Sequence, residues 1–483
     1  MTAEFIAFHA AERPSAPAFI DNGRTITYSE FDRDLRKFVR ALREIGLPRG
    51  RSVAVGCDGV YAHWLLLLAF ERLGIATASL ASSTPTDASL TAAVDLVLAE
   101  PHYPIGGAKP HRRITEEWLR EVLASGQGDE EAVSRGSAED PLRILQTSGT
   151  TGVPKSLLVS RRMHEVRVSQ NAFKYQLTRN SRYLVTMPLN VGVLYSCVTA
   201  CARVGATVIS SAFKDLPDMA AALSDHAITH VTFLPIQLQQ LLDRLPADFR
   251  KPPELAVFTL GAGASEELRE KTAARLATGL CSGYGCNEVG IVSYARGVHD
   301  GDHETVCPDA DAEVEIVDDG DRPVPQGRMG EIRIKTRCMA EGYLDDPETT
   351  ARKFRNGWFY PGDLGILHGP RRLQIVGRED ELLNIGGLKM APGAVEALVR
   401  QQVSAGDIGV CSVRNSEGIE EICVAVASPG HDDAELLRRV TGAFRNHHVG
   451  RFRVVKLARI PRNPNGKIQR QLLEQAVAAA RRQ

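Results

Sequence analysis

The chain has 483 residues, more than the roughly 250–300 at which a single hydrophobic core stops growing, so two or more domains are expected. Its net charge of −1 gives no reason to expect nucleic acid as a partner, and nine scattered cysteines indicate neither a disulfide framework nor a paired metal site. The longest apolar run, Trp64 to Phe70, is too short to span a bilayer, and the early acid Glu4 argues against a signal peptide. These properties predict a cytoplasmic protein that neither binds nucleic acid nor spans a membrane.

The first part of the chain alternates short apolar runs with amphipathic ones. The turn signal Asp21-Asn22-Gly23 predicts a hairpin between residues 18–20 and 25–28. A helix is predicted from a cap at Ser29 to Ile45. Residues 106–140 are polar and irregular, which is typical of a surface connection. The remaining pattern predicts a largely parallel sheet with helices on both faces, built from strands 53–55, 75–80 and 94–98 and a helix at 62–73.

The same alternation resumes after residue 160 and predicts a second sheet. Its predicted helices are 162–175, 193–203, 216–226 and 236–245, and its predicted strands are 183–187, 207–211, 230–234 and 256–260. Ligands of open α/β sheets lie outside the carboxyl ends of the strands. Four segments of small residues are interpreted as loops at such ends and are expected to meet at one cleft: 147–152, 188–192, 261–264 and 283–290.

The segment from Thr147 to Lys155 is a loop of small residues between two predicted strands. Its backbone N–H groups, its hydroxyls and its lysine are the groups that bind phosphate oxygens. It is not a Walker A loop, because no glycine precedes the lysine and no helix signal follows it. A flexible surface loop explains the composition equally well. Taken alone, the segment does not decide between these two interpretations.

Five segments in chain order resemble the motifs of the AMP-forming acyl-adenylate superfamily, which includes acyl-CoA synthetases, adenylation domains of peptide synthetases and luciferases. They are Thr147-Ser148-Gly149-Thr150-Thr151-Gly152-Val153-Pro154-Lys155, Gly283-Tyr284-Gly285-Cys286-Asn287-Glu288, Trp358–Gly365, Gly377-Arg378-Glu379-Asp380 with Asn384–Lys389, and Pro461–Ile468. The resemblance implies an α/β fold with a large N-terminal domain of stacked α/β sheets and a β-rich subdomain over residues 1–379. Residues 380–483 would form a small, mobile C-terminal α+β domain.

The resemblance assigns catalytic roles to three residues. Lys467 would reach the reacting α-phosphate with its long, compact charge, and Glu288 would bind magnesium as a hard oxygen ligand. Thr151 would contribute a hydroxyl to the triphosphate. A solvated basic tail is the alternative for Lys467, and a surface acid is the alternative for Glu288.

A larger set is expected to bind ATP. Asp363 would accept the ribose hydroxyls, Arg378 would add a donor, and Tyr284 would stack on the adenine. A surface ion pair is the alternative for the first two. The complete set comprises Thr147, Ser148, Gly149, Thr150, Thr151, Gly152, Lys155, Gly263, Ala264, Tyr284, Gly285, Asn287, Asp363 and Arg378.

The C-terminal domain of this family turns about a hinge between two half-reactions, and Asp380 matches the hinge position. A tunnel at Gly386, Gly387 and Lys389 would admit the thiol of CoA or of carrier-protein pantetheine. The segment after Pro188 carries neither the aromatic-His pair of many acyl-CoA synthetases nor the aspartate that binds an α-amino group. An apolar acyl pocket with one polar member is predicted from Asn190, Val191, Val193, Leu194, Phe233 and Leu260.

The implied reaction is ATP-dependent activation of a carboxylic acid, a small-molecule partner, to acyl-AMP with release of pyrophosphate, followed by transfer to the thiol of CoA. ATP, Mg²⁺ and CoA are the expected cofactors. The first alternative is a stand-alone adenylation enzyme that loads an aryl or β-amino acid onto an acyl carrier protein, with no carrier domain after Gln483. The second is a non-catalytic nucleotide-binding relative, which the presence of Glu288, Asp363 and Lys467 disfavours. The sequence does not identify the acid.

Overall fold

The computed structural model describes residues 2–81, 88–103, 105, 110–126, 136–147, 154–211, 216–261, 263–295, 305–385, 388–400, 402–403, 407–414, 420–427, 433–444, 452–462 and 468–480. Among these residues, no helix combines the length and the hydropathy that crossing a membrane would require.

The N-terminal part of the chain alternates helices and strands as predicted. The elements are α1 (Thr2–Glu12), β1 (Pro17–Asp21), β2 (Arg24–Thr27), α2 (Tyr28–Arg43), β3 (Ser52–Gly56), α3 (Val60–Arg72), β4 (Ala76–Ser79), α4 (Ala88–Ala92), β5 (Leu96–Ala99), β6 (His111–Arg113), α5 (Glu116–Ala124) and β7 (Pro141–Thr147). The predicted hairpin of β1 and β2 is confirmed by their antiparallel pairing.

Two predictions for this region are wrong. Helix α2 begins at Tyr28, because Thr27 rather than Ser29 caps it, and Glu30 completes a capping box. The stretch 106–140 is not irregular throughout: it contains β6 and α5. Thr115 caps α5, and Trp118 of α5 lies edge-on to Phe38 of α2, so a buried aromatic contact holds this helix in place.

The middle of the chain continues the alternation. Its elements are β8 (Lys155–Ser160), α6 (Arg161–Lys174), β9 (Arg182–Leu184), α7 (Gly192–Val204), β10 (Thr207–Ser210), α8 (Leu216–Asp225), β11 (His230–Phe233), α9 (Pro235–Arg244), β12 (Ala256–Thr259), α10 (Glu266–Arg275), β13 (Leu280–Cys286) and β14 (Gly290–Ala295). The prediction of 283–290 as a loop is wrong, because Gly283–Cys286 belong to β13, which pairs antiparallel with β14.

Two sheets organise these elements. The first has the order β6-β5-β3-β4-β7-β8 and is parallel except for the hairpin of β7 and β8. In the second, β1, β10, β9, β11, β12 and β13 are parallel neighbours. Helix α3 is apolar nearly all round and buried, and it shares one core cluster with residues of both sheets. A helix without a polar face is stable only in such a position.

A β-rich region follows and extends the second sheet. Its elements are β15 (Thr305–Pro308), β16 (Ala312–Val317), β17 (Met329–Thr336), α11 (Pro347–Lys353), β18 (Phe354–Arg355), β19 (Trp358–Phe359), β20 (Asp363–Gly369), β21 (Arg372–Arg378) and a 3₁₀ turn (Glu379–Glu381). Its strand pairs are antiparallel. The predicted fold class, stacked α/β sheets with a β-rich subdomain, is confirmed.

The C-terminal elements form a small α+β unit. They are β22 (Leu383–Ile385), β23 (Leu388–Met390), α12 (Pro392–Arg400), β24 (Asp407–Arg414), β25 (Glu420–Ala427), α13 (Asp433–Phe444), β26 (Phe452–Lys456) and α14 (Arg470–Ala480). Leu383 packs with Val395, Val410 and Leu436 in a core of their own. A domain boundary between residues 379 and 380 stays a prediction.

Candidate active site

The base of the predicted phosphate loop is the end of an antiparallel strand pair, β7 and β8. Thr147 and Lys155 face each other across β7 and β8. The ammonium of Lys155 pairs with the carboxylate of Asp346, which caps α11, and lies 2.5 Å from the hydroxyl of Thr349. The hydrogen bond from Lys155, helped by the backbone N–H of Thr349, lowers the pKa of Asp346 to about 2. Lys155 therefore anchors the hairpin to α11.

Asn287 joins three of the four segments that were expected to meet. Its Nδ2 donates to the carbonyl of Gln146 at 2.8 Å, one residue before the phosphate loop. Its backbone carbonyl accepts from Arg167 at 2.7 Å. A Cβ added to Gly192 would lie 2.9 Å from both Asn287 Oδ1 and a methyl of Leu145. The carboxyl end of β7, the start of α7 and the turn after β13 thus lie side by side.

Glu288 is a buried carboxylate, 6% exposed, oriented by a tyrosine. The hydroxyl of Tyr343 donates to Glu288 Oε1 at 2.8 Å. Burial, and then the charge of Glu288, raises the pKa of Tyr343, so this hydroxyl stays protonated and remains a donor. An oriented carboxylate fits Mg²⁺, which takes one or two carboxylate oxygens and completes its shell with water and phosphate oxygens.

The residues predicted to bind adenosine form one chain of contacts. The hydroxyl of Tyr284 donates to Asp363 Oδ2 at 2.7 Å, and burial followed by the charge of Asp363 raises its pKa. Arg378 lies 3.4 Å from Asp363 Oδ1, and its Nε donates to Asp380 at 3.1 Å. Arg378 therefore links the predicted ribose acid to the predicted hinge.

Two positions in this region require glycine, one because another backbone segment passes close to it and the other because its φ is positive. A Cβ on Gly285 would lie 2.1 Å from the carbonyl oxygen of Gly290, so any larger residue would open the β13–β14 hairpin. Gly362 has φ +83°, a conformation that L residues rarely adopt, and it immediately precedes Asp363. Both glycines lie beside residues predicted to bind the nucleotide.

The predicted acyl-pocket residues do not all share one surface. Asn190 and Val191 lie in the turn before α7, and the buried Oδ1 of Asn190 has no hydrogen-bond partner among the described residues. Leu194 and Phe233 are fully buried in two different core clusters. Val193 is partly buried and Leu260 is buried. A Cβ added to Gly283 would lie 2.7 Å from a methyl of Leu260. Their role as pocket walls stays a prediction.

Several predicted site residues lie outside the described part of the chain or are described only in part. A Cβ added to Gly263 would meet no atom within 4 Å. Ala264 is partly buried and packs against the core cluster that contains Phe233. Lys389 lies in β23, where only the backbone is described. Lys467, Thr151, Ser148, Gly149, Thr150, Gly152, Gly386 and Gly387 lie outside the described residues.

A family model described as AMP-binding enzyme matches residues 6–344. The chain belongs to the AMP-binding enzyme family. The 4-coumarate–CoA ligase 5 of Oryza sativa subsp. japonica is 25% identical over 99% of this chain and 94% of its own length. The solved structure of ATP-bound MatB from Rhodopseudomonas palustris is 20% identical and matches with a TM-score of 0.85 over 98% of this chain and 99% of that one. O-succinylbenzoate CoA synthetase MenE from Bacillus subtilis, solved with ATP and magnesium, is 19% identical and matches with a TM-score of 0.81 over 97% and 98% of the two chains.

These similarities confirm the predicted membership of this AMP-binding enzyme in the superfamily, and with it the class of AMP-forming ligase. The expected cofactors ATP, Mg²⁺ and CoA agree with the ligands and activities named for these relatives.

Two residues of this AMP-binding enzyme that contact predicted site residues or their neighbours, Tyr343 and Arg143, were not identified from the sequence. Tyr343 was overlooked because its segment was not among the matched motifs, although Asp346-Pro347, a cap followed by proline, is a helix-start signal nearby. Arg143 was overlooked because a single charge in an apolar strand carries no motif. Its place between the apolar residues Leu142 and Ile144 was the one weak signal in the sequence.

Proposed function

We propose that this chain is an AMP-forming carboxylate–CoA ligase. A carboxylate oxygen of the acid attacks the α-phosphorus of ATP, the bond to the β-phosphate breaks, and pyrophosphate leaves with its electron pair. The thiol of CoA then attacks the acyl carbon, AMP leaves, and the thiol proton is released. Two half-reactions of this kind need anions held together and in line, which favours a site rich in positioned polar groups.

The observation that supports the proposal is the contact chain Tyr284–Asp363–Arg378. Asp363 is a carboxylate whose two oxygens face a hydroxyl and a guanidinium, so it is fixed in place and can accept both ribose hydroxyls. Glu288, oriented by Tyr343, would hold Mg²⁺, and the bound ion would supply positive charge to the phosphate oxygens. Asn287, the residue before Glu288, is hydrogen-bonded to Gln146 and so keeps Glu288 next to the base of the phosphate loop.

The substrate is proposed to be a small carboxylic acid with an apolar or aryl body, because apolar side chains predominate in the predicted pocket. An α-amino acid is not favoured, since the segment Pro188–Val193 offers no carboxylate to bind an ammonium group. Transfer to a carrier protein, with an aryl or β-amino acid as substrate, is the alternative. A cytoplasmic location stays a prediction.

Pyrophosphate release from the purified protein over a panel of carboxylic acids, with and without CoA, tests this function. We expect release that requires an acid, with acyl-CoA and AMP as products when CoA is present. Release that rises with a pantetheinylated carrier protein and not with CoA would favour the alternative. ATP binding without any acid-dependent release would refute the proposed activity.

The variant Lys467→Ala separates the two half-reactions. We expect it to lose adenylate formation while retaining most of the thioester formation from a supplied acyl-adenylate, because the lysine is proposed to act only at the α-phosphate. Lys456→Ala, in the same basic C-terminal region, is the matched control and should retain both. Equal losses of both half-reactions in Lys467→Ala would contradict the assignment.

A further inference from the structure

A buried arginine lies directly behind the loop that leads into α7. Arg143 projects from β7 and is only 2% exposed. Its Nη1 donates to the hydroxyl of Thr77 at 3.2 Å, and its Nη2 donates to the hydroxyl of Ser79 at 2.7 Å, both on β4. The same Nη2 donates to the backbone carbonyl of Leu189 at 2.8 Å. The guanidinium carbon lies 4.0 Å above the ring of Tyr195.

This arrangement is costly for folding, because all three hydrogen-bond acceptors are neutral. A buried cation normally requires a carboxylate partner, and replacing buried charges with apolar residues often leaves stability unchanged or improves it. Burial lowers the pKa of Arg143 to about 10, and the electrostatic effects of Tyr195 and Glu71 partly oppose the shift. The cost indicates a role other than stability.

The contact with Leu189 suggests what that role is. Thr77 and Ser79 are neighbours of Arg143 within the first sheet, whereas Leu189 belongs to the segment that connects β9 to α7. Leu189 sits in a turn closed by the N–H of Val191 and the carbonyl of Pro188 at 3.1 Å. Arg143 therefore attaches this turn to the first sheet.

The turn carries Asn190 and Val191, two residues of the predicted acyl pocket. We propose that Arg143 is a positioning residue for the acyl side of the site: its guanidinium, anchored on Thr77 and Ser79, fixes the Leu189 carbonyl and thereby the position of the turn against the substrate acid. The proposal rests on the proposed function, since it concerns which acids fit. Arg143 is proposed to act through the Leu189 carbonyl and not by contact with substrate or ATP.

The planar fork of an arginine is needed for this task. It donates in several fixed directions, so one side chain can hold two hydroxyls and a carbonyl at once. A lysine also has three N–H donors, but they diverge from one nitrogen on a flexible stem and do not reproduce the fixed directions in which the guanidinium holds these three acceptors. Arg143→Lys should therefore loosen the turn while keeping the positive charge.

The test measures ATP–pyrophosphate exchange for a series of acids graded in size, with wild type, Arg143→Lys and a control. Arg269→Lys is the control, because Arg269 is equally buried and donates to the carbonyl of Leu280 and the hydroxyl of Ser282, on the strand that leads to Tyr284. Thermal unfolding of each variant reports the general cost of losing a buried guanidinium.

We expect Arg143→Lys to raise the KM for the best acid by about tenfold, the effect of about 1.4 kcal/mol, and to change the ranking of acids by size. Its KM for ATP should change by less than about twofold, which corresponds to about 0.4 kcal/mol. Arg269→Lys should leave the ranking of acids as in wild type. This difference between two similarly buried arginines is not expected from a purely structural role.

A second variant keeps the proposal testable if Arg143→Lys fails to fold. Ser79→Ala removes one anchor of the guanidinium and should shift the ranking in the same direction by a smaller factor. An unchanged acid profile in the folded variants, or equal shifts in the KM values for acid and ATP, would overturn the proposal. A wild-type protein that activates no acid would instead refute the proposed function.

Discussion

The two sides of the candidate site are built differently. On the nucleotide side, defined by Tyr284, Glu288, Asp363 and Arg378, functional side chains are held by direct side-chain contacts: Tyr284 and Arg378 contact Asp363, and Tyr343 contacts Glu288. On the acyl side, defined by the turn 188–191, a backbone carbonyl is held from behind by a buried arginine. Changes on the nucleotide side should therefore affect ATP and metal binding, whereas changes on the acyl side should affect the choice of acid.

The largest effect is expected from Glu288→Gln. The amide keeps the size of the side chain and can still accept from Tyr343, but it removes the charge proposed to bind Mg²⁺. Adenylate formation should fall by about 10²–10³-fold, the effect of losing one preorganised electrostatic group. Pyrophosphate release measured over a range of Mg²⁺ concentrations checks this. Glu315→Gln, an acid paired with Arg333 in the β-rich region, is the control; similar losses in both variants would contradict a metal-binding role.

Asp363→Asn should have the next largest effect. The carboxylate is proposed to accept two ribose hydroxyls, and hydrogen bonds to a charged group contribute about 1.5–3 kcal/mol each, so the KM for ATP should rise by at least about tenfold. The KM for the acid should remain close to the wild-type value. The control is Asp321→Asn, which removes an acid paired with Arg355. An acid KM that rises as much as the ATP KM would remove the distinction between the two sides.

Tyr343→Phe should have a smaller effect on the same side. It deletes the hydroxyl that orients Glu288 and keeps the ring beside Phe354. Outer-shell residues of metal sites typically change affinity by about 10–100-fold, and we expect the lower end because the carboxylate itself remains. The Mg²⁺ concentration at half-maximal rate is the measurement. An unchanged Mg²⁺ requirement would show that Glu288 is held by other groups.

The nucleotide side could be predicted from the sequence because its chemistry depends on particular side chains. A carboxylate at 363 and an aromatic ring at 284 were identified by motif, and the structure brings these two into contact. Their hydrogen bond could not be predicted, since it joins β13 to β20, which are far apart in the chain.

The acyl side could not be predicted in the same way. In the sequence, Arg143 looks like an ordinary strand residue, and only the fold shows that its side chain reaches from β7 to the turn at Leu189.

Two local features outside the acyl side were also predicted wrongly. The hairpin of β13 and β14 was missed because Gly283 and Gly285 interrupt the alternation of apolar and polar residues that identifies a strand. By contrast, the start of α2 was readable: Thr27 followed by Glu30 is a capping-box pattern, and the choice of Ser29 overlooked it.

The last prediction concerns the stability of the region behind the acyl side, where no effect on activity is expected. His63 is 4% exposed and lies 3.0 Å from Ser79, one of the hydroxyls that hold Arg143. Burial, followed by the charge of Arg143, lowers the pKa of His63 to about 3, so its ring stays neutral in the folded protein. Below a pH of about 6.5 the unfolded chain takes up a proton that the folded protein does not, so the stability contributed by His63 is full above that pH and falls as the pH drops towards 3.

His63→Gln removes this proton uptake. The difference in the free energy of unfolding between pH 7 and pH 5 should shrink by about 2 kcal/mol, as urea unfolding at the two pH values would measure. Replacement of the exposed His111 with Gln is the control. If His63→Gln keeps the wild-type pH dependence, the ring is hydrated or charged in the folded state. Ser79 and Arg143 would then lie in a hydrated environment, where an arginine bound only to neutral acceptors carries little folding cost, and that cost would no longer indicate a positioning role for Arg143.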